Sequence, residues 1–459
     1  MMHLSEVAAA TQGRVIGADV VFTRVGTDSR TVQSGDLFVA LRGEHFDGHA
    51  YASECIKMGA AAVMLDQQAA MEGVGPAVLV PDTRLGLGQL ASHWRDKFNI
   101  PFAAITGSNG KTTVKEMLAS ILRIAAGQEE RVLSTQGNLN NDIGLPLTLL
   151  RLRAEHRFAV VEMGMNHEGE ISYLTRLGKP TVALVNNATL AHLGGLGSVE
   201  AIARAKGEIF EGLAENGTAI INADDVFADF WRGLAAQRQI LTFGLKNKAD
   251  VNAKYKLGTD SSELLLQTPQ GEKHVLLPAA GLHNVSNALA STAAALAMNV
   301  SLADIAHGLA AFGGVKGRLQ HKPGFNHALV IDDTYNANPA SMKAAIDVLA
   351  ARSGTRLLVL GDMGELGADE GQLHTEIGNY ARHSGIDGLY TLGTLSREMT
   401  NAFGSNAQHH ESPEALADEL KRHMNNSTTV LVKGSRFMRM ERVVNLIGEE
   451  TREGSNNAA

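Results

Sequence analysis

With one cysteine, Cys55, in 459 residues, the chain cannot close a disulfide within itself. That scarcity, and the lack of a charged-then-apolar leader at the start, set the expectation of a cytoplasmic protein. Basic residues are also short: 41 Lys and Arg against 49 Asp and Glu leave a formal charge of -8. The two signs are interspersed and form no basic stripe, so no nucleic-acid partner is expected. No run is long and apolar enough to span a bilayer. The longest small-residue run, Asn287 to Val300, is Ala-rich but broken by Ser291, Thr292 and Asn299. What is present is 44% hydrophobic residues in a chain too long for one core, which implies two to four domains.

One stretch organises the rest. The apolar run Phe102 to Ile105 leads into Thr106, Gly107, Ser108, Asn109, Gly110, Lys111, Thr112 and Thr113, and a helix-like segment from Val114 to Leu122 follows. A buried strand, a Gly-rich turn and a helix start aim backbone N–H groups and a helix N-terminus at one spot, the arrangement that binds phosphate. Gly107 and Gly110 bring the backbone close to an anion, Lys111 reaches the outer phosphates, and the Thr112 hydroxyl suits Mg²⁺. The spacing is a shortened form of the usual phosphate loop, with Ile105 where a small residue normally stands.

Three stretches alternate strand-like and helix-like segments. Residues 1–84 read as a small α/β domain, in which Thr27, Asp28, Ser29 and Arg30, and Asp47 with His49, form polar clusters beside strands. These could hydrogen-bond a uracil, ribose or phosphate, or serve only as turn and capping chemistry. Residues 85–315 carry the phosphate loop and the strand-like runs Phe158 to Glu162, Thr181 to Val185 and Thr218 to Ile221, a mostly parallel sheet with helices on both faces. Ligands in such sheets meet the carboxyl ends of strands, where Glu162 and Asn186 fall. Residues 316–459 repeat the pattern as a second doubly wound domain. Its loops Asp332 to Pro339, Gly361 to Gly367 and Lys433 to Arg436 are expected to face the cleft.

Several residues stand out chemically. Glu162 is placed to supply an oxygen for Mg²⁺, or else to cap a helix. His192 lies in a Gly-rich loop, either a ligand or a surface residue. Lys206 interrupts the apolar stripe of Ile202, Ile209, Phe210 and Leu213. It is either a stem whose ammonium escapes to the helix edge or an amine desolvated toward its neutral, reactive form. Asn284 and Asn287, three apart, share the face of a helix start and could read an adenine or ribose edge. Arg318 opens the third domain and suits a charge that swings onto a phosphoryl group as domains close.

Four stretches, Gly137 to Leu147, Glu162 to His167, Tyr335 to Met342 and Gly361 to Gly367, join these residues in a pattern that resembles the Mur ligases nearly end to end. The shortened loop is that family's usual form. The resemblance implies three domains: a small N-terminal α/β domain that binds a UDP substrate, a central P-loop ATPase-like sheet that binds ATP, and a C-terminal Rossmann-like domain that takes the acceptor. It implies ATP-dependent joining of D-alanyl-D-alanine to UDP-N-acetylmuramoyl-tripeptide through an acyl phosphate; a monomer is expected. By residue it implies Lys111 on the phosphates, Thr112 and Glu162 on one Mg²⁺, His192 on a second, and Lys206 as a carbamylated lysine. Asn287, Arg318 and Asp333 match positions that hold the nucleotide, with Asp332 adjacent and a one-residue shift open, and Asn284 is expected beside them from its place on the helix start. Thr27 to Arg30 match the uridine-side pattern, and Asn336 and Asn338 fall where the incoming dipeptide is expected; Asp47, His49, Asn138, Asn140 and Asn141 are further candidates for the substrate side. A ligase adding a diamino acid would carry an Asp-Asn-Pro-Arg type loop, and a folylpolyglutamate synthase-like enzyme would lack the first domain. A nucleotide switch would explain neither Lys206 nor a cleft between three domains.

Overall fold

The computed structural model describes residues 1–66, 74–189 and 196–449. The strand Phe102–Thr106 is buried along its whole length, as a strand covered on both faces must be, which is why it reads as an unbroken apolar run. It is an inner strand of a six-stranded parallel sheet ordered Gln239–Phe243, Thr218–Asn222, Val182–Val185, Phe102–Thr106, Phe158–Glu162, Val132–Ser134. The chain leaves it first toward Phe158–Glu162 and later toward Val182–Val185, so its carboxyl end is the switch point where such sheets bind ligands. The helix Lys111–Ala126 starts there and ends on Gly127 at φ 74°, a left-handed stop that favours glycine. Its Val114, Met117, Leu118, Ile121 and Leu122 are fully buried. Each large apolar side chain so placed contributes roughly 1.5–3 kcal/mol.

The N-terminal sheet is ordered Arg14–Ile16, Ala77–Val80, Ala62–Asp66, Asp36–Val39, Arg24–Gly26, parallel except where Arg14–Ile16 pairs with Ala77–Val80. Asp82 caps the next helix, Thr83–Arg95, by accepting from Arg84 and Leu85 N–H. Leu87, Leu90 and Trp94 of that helix join one buried cluster with Leu37 and Met64 on one side and Leu149 and Leu174 on the other. A boundary at residue 84 therefore falls in the first turn of a helix whose apolar face serves two domains. Cys55 is buried on the other face of this sheet, and burial pushes its thiol up to about 11.

The C-terminal sheet runs Gln320–Pro323, Leu329–Asp333, Thr428–Lys433, Thr355–Gly361, Gly388–Leu392, Ala407–His410, with the first strand antiparallel. Absent from the sequence reading is an antiparallel sheet of Asn252–Leu257, Ser262–Thr268 and Gly271–Leu277. The Asp260 carboxylate in its first turn pairs with Arg352 of the C-terminal domain, whose Nη2 also lies 3.0 Å from His321 Nε2. Among the described residues no helix is long and apolar enough to cross a membrane, and most of the Ala-rich run lies in the helix Leu282–Ala297.

Candidate active site

The phosphate loop is held in shape by its neighbours. Asn109 N–H donates to Asn187 Oδ1 at 2.8 Å, and Asn186 Nδ2 donates to the Asn109 carbonyl at 2.9 Å. Gly110 sits at φ 80°, and a Cβ there would collide with the side chains of Asn287 and Asn186, so only glycine lets the strand ends and the helix Leu282–Ala297 close around the turn. Lys111 is the first residue of its helix. Its ammonium donates to the Gly107 carbonyl at 2.6 Å. Burial lowers its pKa, the Arg318 charge lowers it too, and the Glu162 carboxylate opposes both.

Glu162, buried at the end of Phe158–Glu162, accepts from the Thr112 hydroxyl at 2.9 Å and from Asn140 Nδ2 at 2.9 Å. A carboxylate and a hydroxyl side by side at the phosphate loop fit magnesium, which takes hard oxygens and few protein ligands. Among the described residues no group of three His, Cys, Asp or Glu forms a ready-made metal cage. His192 lies outside the described residues.

Lys206 lies in the last turn of the helix Val199–Gly207, after which the chain tightens into a 3-10 turn over Glu208–Gly212. It is 2% exposed, and Ile202, Ile209, Phe210 and Leu213 are buried with it. The stem therefore does not escape to the helix edge. Desolvation, aided by the Lys111 charge, lowers its pKa well below the usual lysine range. As an ammonium it offers a metal no lone pair; as a neutral amine it is a nucleophile.

Two cavities meet at this loop. One, about 690 Å³, runs past Asn109, Gly110, Asn284 and Asn287 to an apolar floor that includes Phe312 and Val348. The other, about 630 Å³, holds Lys111, Glu162, Lys206 and the asparagines Asn138, Asn140 and Asn141. The C-terminal domain closes both. Arg318 stacks on the Tyr335 ring, 4.3 Å from its centroid, and donates to the Thr112 hydroxyl at 3.0 Å. Its Nε and the Oδ1 of Asn186 are buried without a hydrogen-bond partner among the described residues, which suits a site that awaits a polar ligand. Asp333 lines both cavities and accepts from Lys433 at 2.6 Å, whereas Asp332 turns to Lys322 and Thr334 and lines neither. Asn336 and Asn338 line the second cavity. Asn338 also caps the helix Pro339–Ala350 and donates to Asn109 Oδ1 at 2.8 Å across the domain boundary.

Some expected residues are not brought together. No described residue of 1–84 lines either cavity, so among the described residues both lie between two domains, not three. Asp28 accepts from Arg30 N–H and pairs with its guanidinium, which holds the carboxyl down at about 2. Asp47 caps the turn Gly48–Tyr51 by accepting from His49 N–H. Thr27 and Ser29 flank the first of these caps. Capping chemistry thus occupies both clusters. Residues that sequence reasoning passed over include Asn187, Tyr335 and the fully buried Lys115, whose amine donates to the Thr135 carbonyl at 2.8 Å while Thr135 Oγ1 accepts from Glu162 N–H. A cation one turn into an apolar helix was the available signal for Lys115.

A parallel sheet ending in a phosphate loop, faced by a second doubly wound domain across two joined cavities, defines a nucleotide-binding architecture with room for a second substrate beside the phosphates. Residues 21–95 match the Mur ligase family catalytic domain, 105–295 the Mur ligase middle domain, and 317–436 the Mur ligase glutamate ligase domain. The UDP-N-acetylmuramoyl-tripeptide--D-alanyl-D-alanine ligase of Haemophilus influenzae is 43% identical over 453 residues, 97% of this chain and 98% of that one. A crystal structure of MurF from Acinetobacter baumannii superimposes with a TM-score of 0.90 at 39% identity, covering 96% and 97% of the two chains. MurF of Thermotoga maritima in complex with ADP gives 0.81 at 29%, covering 92% and 96%. The chain belongs to the Mur ligase family and is an ATP-dependent peptide ligase.

Proposed function

We propose that this enzyme joins D-alanyl-D-alanine to UDP-N-acetylmuramoyl-tripeptide, acting as a monomer in the cytoplasm. The observation that carries the reading is the meeting of two unlike cavities at Gly110 and Arg318; the names of the relatives supply the substrates. ATP lies in the cavity with the apolar floor, its base toward Phe312 and its outer phosphates at Gly107 to Thr113. Asn284, Asn287 and Asp333 hold its polar edges. The tripeptide end enters the second cavity over Asn138, Asn140 and Asn141, and the dipeptide comes from the side of Asn336 and Asn338. Domain 1–84 takes the UDP end, domain 85–315 the ATP, and domain 316–459 the acceptor.

A carboxylate is a poor acyl donor, so it first attacks the γ-phosphorus, forming an acyl phosphate and releasing ADP. The acceptor amine adds to that carbonyl, losing its proton, and the tetrahedral oxyanion collapses with loss of phosphate. Lys111 and Arg318 offset the negative charge that develops at each step. Thr112 and Glu162 would hold one Mg²⁺, and His192 with a carbamylated Lys206 would hold a second. Bound magnesium supplies Lewis-acid charge stabilisation at the phosphoryl oxygens. At Lys206 the neutral amine adds to CO₂ and loses a proton, turning a misplaced cation into an oxygen donor.

The test is ADP release in the presence of the UDP-linked tripeptide, with D-alanyl-D-alanine, D-alanine or diaminopimelate as acceptor. Release that depends on the dipeptide is expected. Equal or greater release with diaminopimelate would replace this reading with that of a sister ligase, and release independent of any acceptor would replace it with that of a switch.

A further inference from the structure

The loop from Gly361 to Gly367 reaches the polar cavity with two residues, Gly364 and Glu365, while Met363 and Leu366 on either side are buried. To turn between those two anchors Glu365 adopts φ 62°, a left-handed conformation that a residue with a side chain rarely takes. Such a backbone persists only where its surroundings fix it, and here each neighbouring group is fixed. The Asp362 carboxylate accepts from Thr394 and Ser396 N–H at 2.8 and 2.7 Å, and its carbonyl accepts from Ser435 N–H at 3.0 Å. Gly364 N–H donates to Ser435 Oγ at 2.9 Å.

The remaining group, Met363 N–H, donates at 3.0 Å to Nε2 of His374, a fully buried ring on the helix Glu370–His383 that does not line the cavity. The other ring nitrogen, Nδ1, lies 2.6 Å from the Glu370 carbonyl, which only accepts. The two contacts therefore require a neutral ring with its proton on Nδ1. A histidine is used where its one acceptor and one donor, set across a rigid ring, match two backbone groups on different elements.

We propose that His374 is a positioning residue for the acceptor: through the Met363 amide it holds Gly364 and Glu365 as the wall against which the incoming amine is placed. This deepens the functional reading above and rests on it, since the polar cavity is taken as the acceptor's. His374 lines neither cavity and its hydrogen bonds go to Met363 and Glu370, away from the phosphate loop, so its influence is selective among substrates.

The experiment compares the steady-state constants of His374→Leu, His374→Gln and Ser435→Ala for all three substrates, with thermal unfolding alongside. His374→Leu removes the acceptor for Met363 N–H and is expected to raise the KM for D-alanyl-D-alanine at least about tenfold, while the KM for ATP stays within about twofold. His374→Gln keeps an oxygen able to accept that N–H and should recover most of the loss. Ser435→Ala frees Gly364 N–H from the other side and should shift the same constant in the same direction, which keeps the test open if the leucine variant does not fold. Parallel rises in the ATP and acceptor constants, or a glutamine variant no better than leucine, would overturn the proposal. A wild-type enzyme that turns over with D-alanyl-D-alanine while no variant shifts its KM selectively defeats this inference alone. A wild-type enzyme indifferent to the dipeptide defeats the functional reading as well.

Discussion

Behind the phosphate loop the first cavity ends in Phe312, Ala279, Ala280 and Val348, while in front of it the second is lined by Lys111, Glu162, Lys206 and a series of asparagines. Six residues belong to both: Asn109, Gly110, Arg318, Asp333, Ser341 and Lys433. An apolar floor rewards a flat base with burial and is indifferent to charge. A lining of amides, lysines and a carboxylate suits a place where charge is made and moved. Binding and chemistry are thus separated by a shared partition, and changes on either side should disturb different substrates.

Lys206→Ala carries the largest expected effect, because Lys206 lines the polar side alone. Turnover should fall about a hundredfold or more, the scale of losing a charge-stabilising group, with equilibrium ATP binding nearly unchanged. A small added carboxylic acid should restore part of the activity if a carbamate is what is missing. A fully active enzyme whose mass carries no CO₂ adduct on Lys206 would end that account.

Asn287→Ala probes the other side. Its Oδ1 accepts from Asn186 at 3.2 Å and its Nδ2 donates to Asn284 at 3.3 Å, all three lining the first cavity. Leaving a buried partner unsatisfied typically costs about 1–3 kcal/mol, so the KM for ATP should rise roughly tenfold or more while that for the dipeptide holds. An equal rise for both would mean the partition does not separate them.

The smallest effect is expected for Asn338→Ala. Loss of this cap should lower stability by about 1 kcal/mol, read as a shift in the denaturant midpoint. Acceptor binding should weaken more than ATP binding, since Asn338 faces only the polar cavity. An ATP loss as large as the acceptor loss would assign its contact with Asn109 to the nucleotide side.

The difference between the two sides also governs what could be read from the sequence. The phosphate loop is legible because its chemistry lies in consecutive residues between a strand and a helix, and Lys206 because a cation breaks a periodic apolar stripe. Asn187, Tyr335 and Lys433 are not legible as partners: they meet Asn109, Arg318 and Asp333 only after the sheets assemble. The antiparallel sheet was available in principle. Ser262, Leu264 and Leu266 alternate inward, and Thr268 to Gly271 is a turn sequence; the surrounding βα alternation masked a period of two. At Asp28 and Asp47 the reverse holds, since a carboxylate two residues before an amide caps its own turn whatever else it does. His374 looked like one histidine among many, because its value lies in a backbone amide that sequence does not display.

The buried Cys55 has one more consequence. A thiol held protonated at neutral pH and shielded from solvent is inert to maleimides, so the natural chain is a silent background for thiol-directed dyes. The turn carrying Asp260 touches the C-terminal domain through Arg352, outside the six residues common to both cavities. Cysteines introduced beside that contact, as Thr259→Cys and Ser353→Cys, would carry a fluorescent donor and acceptor on opposite domains without altering the catalytic residues. Domain motion could then be followed in real time, one turnover after another, in an otherwise unmodified enzyme.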